Sequence, residues 1–169
     1  MDKKEILDEL KEQFDLTKEK LKFKSSFEEV NEIAFLEDMV LSQGYVSNQL
    51  SRQMVNRMTD TFYGWVGVIH SWVFPPQMDL IYSNESKNLT KEERKELYSM
   101  IDKIMYLVRK NKRIAFENSS EESKFIDEVI DFDKKIFSPF MSKYLKRFEE
   151  FWKNESQKEN SKNIPSNIL

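Results

Sequence analysis

The chain has no cysteine and a single histidine, His70. Disulfides and thiolate metal sites are excluded on that count, and so is a di-iron bundle, which needs two Glu-x-x-His units. Glycine occurs only at positions 44, 64 and 67, and proline at four positions, too few for a fold built from many tight turns. No glycine-rich loop is present, which removes P-loop and dinucleotide-binding sites. No serine lies in a nucleophile-elbow pattern. Alanine is confined to Ala34 and Ala115, against 13 phenylalanines, so helices must be held apart by large side chains. Charge is missing from one segment. The chain is 34% charged, yet between Leu41 and Met78 only Arg52, Arg57 and Asp60 carry formal charge. Helical stretches this poor in charge are normally buried.

What is present points to helices. Lys and Glu supply most of the charge and suit exposed helix faces. We expect one all-α domain over residues 1–154 and a disordered polar tail over 155–169. The net charge of −3 argues against a nucleic-acid partner, which calls for a basic footprint. The opening Met1-Asp-Lys-Lys-Glu runs into a charged helical pattern rather than a secretory leader, so a cytoplasmic protein is expected. The sequons at Asn84, Asn88, Asn118 and Asn154 then read as chance.

Periodicity and caps divide the chain. Residues 2–23 carry one stripe of Ile6, Leu7, Leu10, Phe14 and Leu21. Ser26 with Glu29, or Ser25 with Glu28, fits a capping box opening a helix over 27–43, which Gly44 ends in a left-handed cap. A 30-residue helical pattern follows over 45–74, stopped by Pro75-Pro76. Residues 76–90 read as a loop, with Met78, Leu80, Ile81 and Tyr82 covering one end of the bundle. Thr90 with Glu93 caps a helix over 91–117. Asn118-Ser119-Ser120 is a turn, with Ser119 and Glu122 capping a fifth helix. Ser138-Pro139 is read as the N-cap and N1 pair of a sixth helix reaching about residue 154, or else as a kink. The expected architecture is a bundle of five or six helices around a long central antiparallel pair, 45–74 with 91–117.

Three groups of residues are candidates for function. The first is polar: Asn48, Arg52, Asn56 and Asp60 fall on one helix face by i, i+4 spacing, and Arg57 neighbours Asp60 at i, i+3. Glu37 and Asp38 sit within an apolar run. If the 27–43 and 45–74 helices fold back about Gly44, those acids face Arg52, as a structural ion pair or as a polar, acidic ligand pocket. The second is the apolar block 62–74, with Phe62, Trp65, Ile69, Trp72 and Phe74 as interface candidates. It is too short to span a bilayer, and membrane contact ranks below burial or protein association. Gly64 and Gly67 in it would admit a close helix. The third is the basic run Arg109, Lys110, Lys112 and Arg113 near a helix C-terminus, where the macrodipole favours cations. Two carboxylate pairs, Glu29 with Glu32 and Glu128 with Asp131, have the spacing to hold a divalent metal but lie far apart in sequence; a solvated face is the default for such pairs. No cofactor is implied. The leading expectation is a non-enzymatic interaction or scaffolding protein that self-associates. The alternative is a ligand-binding protein or metal-dependent enzyme using the polar pocket.

Overall fold

A computed structural model of the chain describes residues 2–117 and 120–162. The expected turn at 118–119, with its Ser119 cap, and the last seven residues lie outside the described residues. The protein is all-α. Eight α-helical segments and one π turn occur among the described residues: α1 Lys3–Leu21, α2 Phe27–Ala34, α3 Leu36–Gln43, α4 Leu50–Val73, α5 Leu80–Lys87, α6 Lys91–Glu117, α7 Glu122–Phe132, the π turn Asp133–Phe137 and α8 Ser138–Lys162. The count exceeds five or six because one expected helix is divided and a short helix stands in the expected 76–90 loop.

The division is at Phe35. The expected 27–43 helix breaks there, with Phe35 left-handed at φ 51° and ψ 50°. Its N–H closes α2 on the Asn31 carbonyl at 2.8 Å. The Asn31 side chain accepts the Glu37 N–H at 3.0 Å, so one residue serves both sides of the break. The carbonyls left at the end of α2 are met from α4: Arg57 Nε donates to Ala34 O at 3.3 Å and Thr61 Oγ1 to Ile33 O at 2.8 Å. Gly44 then ends α3 at φ +79°. The long helix begins at Leu50 rather than at 45, after a loop in which Ser47 accepts the Gln49 N–H.

The added helix, α5, lies in the expected loop. Asp79 caps it, accepting the Ile81 and Tyr82 N–H groups at 3.0 and 3.2 Å. Met78, Leu80 and Ile81 do not cover the bundle: Met78 is 97% exposed, and Leu80 and Ile81 also face outward. The helix turns Glu85 and Ser86 inward instead.

The start of α6 coincides with its sequence pattern. Glu93 and Thr90 exchange side-chain-to-backbone bonds at 2.8 and 3.1 Å. The bonds between α4 and α6 run in opposite chain directions: Arg52 and Asn56 reach Asn111 at one end, and Arg94 donates to the Val73 carbonyl at the other, at 2.9 Å.

Ser138 is the first residue of α8 and not a cap outside it. Ser138 is helical (φ −61°, ψ −44°) and its N–H donates to the Asp133 carbonyl, five residues back. The π turn carries α7 into α8 past a residue that has no N–H to give. It also sets side-chain direction. Residues five apart diverge by about 140° on an α-helix; the wider turn brings Phe132 and Phe137 onto the same partner. Both meet the Phe62 ring edge-on, at 5.4 and 4.9 Å between centroids. The last helix continues beyond 154, to Lys162.

Candidate functional site

Arg52, Asn56 and Asn111 form the main polar node, between α4, α6 and α7. Arg52 donates to Asn56 Oδ1 at 2.9 Å, to the Asn111 carbonyl at 3.3 Å, to Asn111 Oδ1, and to Glu122 at 3.3 Å. Asn111 is only 5% exposed and donates to Asn56 Oδ1 and Thr59 Oγ1 at 3.1 and 2.8 Å. Thr59 in turn donates to the Val55 and Asn56 carbonyls. Polar groups so thoroughly paired specify helix register and leave little to recruit a ligand.

The expected pocket between 27–43 and 45–74 is not assembled. Arg52 pairs with Glu122 rather than with Glu37 or Asp38. Those two acids lie in the first turn of α3, where the helix dipole favours them. Arg57 holds the end of α2, and Asp60 and Asn48 are exposed. The break at Phe35 is the physical reason, because it re-aims α3. Asn111 was hidden in sequence inside the basic run, yet its spacing from Leu107, Ile104 and Ile114 sets it in the apolar stripe of α6.

The basic run is likewise divided. Lys110 pairs with Glu128 at 2.5 Å, and burial opposes, but does not outweigh, that hydrogen bond in raising the Lys110 pKa. Arg113 binds Glu117 and Glu121, each at 2.6 Å. Arg109 and Lys112 are exposed. Of the acidic pairs, Glu29 meets Lys134, Glu128 meets Lys110, and Asp131 meets Lys135 at 2.9 Å. Among the described residues no three acidic or histidine side chains gather as metal ligands.

Two further polar nodes carry no obvious sequence signal. Glu85 is 8% exposed and accepts an indole N–H on each oxygen: Trp72 on Oε2 and Trp152 on Oε1, both at 2.8 Å. No cation pairs with it among the described residues. Beside it Arg94 donates to Ser86 Oγ and Ser86 O at 2.8 and 2.5 Å. Asp127 accepts the Lys24 and Ser25 N–H groups and the Ser25 hydroxyl, at 2.7–3.1 Å, tying the loop after α1 to α7.

Asp133 lines a hollow of about 490 Å³ with Glu32, Trp65 and Phe137. Burial pushes its carboxyl above the ordinary range; Ser138 pulls the other way and Glu32 adds to the rise. A carboxyl whose pKa rises on folding opposes folding while ionised, and that penalty fades as pH falls through its folded pKa. Asp133→Asn is therefore expected to be neutral to stabilising at neutral pH, with less gain in acid, read from thermal melts across pH.

The apolar block divides by depth. Phe62, Ile69 and Trp72 are buried inside the chain, which removes them as interface residues. Trp65 is half-buried against Phe137. Phe74 is 56% exposed, as is Tyr63 nearly to the same degree. Gly64 and Gly67 are exposed, and a Cβ at either would meet nothing within 4 Å, so neither serves a close approach inside the molecule. The outer face of α4 thus presents Tyr63, Gly64, Gly67, His70 and Phe74, and the patch extends through the Phe74–Tyr98 edge contact at 6.3 Å. No helix among the described residues is long and apolar enough to cross a membrane. Compared with known proteins, the chain matches no family, no curated protein and no solved structure.

Proposed function

We propose that this is a non-enzymatic interaction protein that self-associates through the outer face of α4. One observation carries the reading: the face is exposed, yet no residue from Thr61 to Met78 bears a formal charge. Exposed helix faces elsewhere in this chain are dense in Lys and Glu, which keep such surfaces in water. Here tyrosine, phenylalanine and two glycines stand in their place. Gly64 and Gly67 leave room for a second helix backbone, and Tyr63 and Phe74 flank it with large contact area. The same stretch of a second copy, from Thr61 onward, meets that description because it is equally free of charge. Met78, Leu80 and Ile81 extend the apolar surface beyond the end of α4.

Sedimentation velocity over a range of concentrations tests the reading. Reversible self-association is expected for the native chain. Gly67→Arg should give a monomer with undiminished helix content, since the added side chain has open space in the single chain. Gly67→Ala should raise the stability of the monomer by up to about 1 kcal/mol through helix propensity. A native chain that stays monomeric at every concentration ends the proposal. Pelleting with neutral lipid vesicles, lost in Gly67→Arg, would assign the face to a membrane surface instead.

A further inference from the structure

A groove of about 1080 Å³ runs between α6 and α7, on residues that the outer face of α4 does not share. Its floor and apolar walls are Leu107, Phe132, Tyr106 and Ile136; the first two are buried, and the other two stand exposed above them. The groove follows α6 from Ser99 to Leu107, roughly 12 Å, and the opposite wall from Ser123 to Ile136, roughly 20 Å.

The charges around it are unequal once those already engaged are set aside. Glu128 is paired with Lys110 and Asp131 with Lys135, whereas Asp127 bonds only neutral groups of the loop after α1 and keeps its charge. Lys22, Lys24, Lys103 and Lys124 form no ion pair among the described residues, and Asp102 and Asp127 are the two lining carboxylates without a cation partner there. Four lysines outside any ion pair, against two such carboxylates, therefore edge an apolar trough from three separate segments, on a chain whose net charge is −3.

We infer that this groove takes an acidic amphipathic helix of a partner protein, with its apolar face on Tyr106, Phe132 and Ile136 and its carboxylates against Lys22, Lys24, Lys103 and Lys124. Helix-in-groove recognition needs a trough of several turns, an apolar floor, and flanks of opposite charge to the incoming helix, and all three are met. A nucleic-acid strand fits less well. Its phosphates could use the lysines, but the floor offers aliphatic as well as aromatic surface, and Asp102 and the acidic chain as a whole repel it.

The test is selection of a displayed library of helices roughly fifteen residues long on the full chain, repeated on the Lys103→Glu/Lys124→Glu double variant. Both sites are exposed, so the variant should fold, as an unchanged melting curve would verify. Enriched sequences should carry Leu, Ile or Phe at i, i+3, i+4 and i+7 with Asp or Glu on the flanks. A synthetic peptide of the enriched sequence should bind the double variant at least about 10-fold more weakly, a loss that added salt shrinks, and should bind Ile136→Ser several-fold more weakly. Enrichment of basic or uncharged helices, or no enrichment, overturns the inference. Equal binding to the native chain and the double variant overturns it too. If the double variant instead loses the self-association of the native chain, the groove belongs to a second copy and the inference fails, while the α4 reading is judged separately by Gly67→Arg.

Discussion

Phe62→Ala should cost about 3–5 kcal/mol of folding free energy, the usual range for removing a buried aromatic ring. Phe62 is 1% exposed, and its ring is held edge-on by Phe132 and Phe137 and backed by the half-buried Trp65 layer. Collapse of the cavity is opposed from both sides, because α4 is fixed to α6 by the Asn111 node and the two phenylalanines are fixed to each other's spacing by the π turn. The measurement is the urea midpoint at constant m. Phe137→Leu, which keeps volume on the far side of the contact, should cost less, and the two changes together should cost less than their sum because they share one cavity. A loss of under about 1 kcal/mol for Phe62→Ala would mean that the aromatic trio is not a packed unit.

Glu85→Gln is expected to cost about 2–3 kcal/mol, although it preserves size and removes a buried charge. Both carboxylate oxygens accept indole N–H groups. A primary amide has one accepting oxygen, and its NH2 would face the second indole N–H, donor against donor. Leaving one indole donor unmet accounts for up to about 1–3 kcal/mol, and the surviving bond also loses its charge assistance. The position of Glu85 in the last turn of α5 sharpens the point: the helix dipole disfavours an acid there, so the two tryptophans must supply what holds it. A cycle isolates the cause. In a Trp152→Phe background one donor is gone, the Gln oxygen can serve Trp72, and Glu85→Gln should be much closer to neutral. An equal loss in both backgrounds would place the cost elsewhere.

Local signals proved the most legible. The capping boxes at Ser26 and Thr90 and the left-handed cap at Gly44 each lie within four residues of the backbone groups they satisfy. The start of α6 could therefore be read directly. The break at Phe35 could not, since phenylalanine is a poor left-handed residue and is held there by Asn31 on its own side and by Arg57 and Thr61 from another helix. The candidate site fared less well for a related reason. Arg52 and Asn56 do share a face, as their spacing requires, but what they meet is decided by α6 and α7.

By itself, the sequence determined that this is an all-α protein with a charge-poor central helix, because periodicity, composition and caps act within one or two turns. Tertiary structure alone decided that Trp72 is inside and Phe74 outside, that Glu85 rather than Leu80 or Ile81 turns inward, and that the basic run is half neutralised. Long side chains choose partners across helices, and that choice depends on how the helices are rotated about their axes. A break such as the one at Phe35, or a π turn such as that at 133–137, changes the rotation of everything that follows without a distinctive local residue pattern.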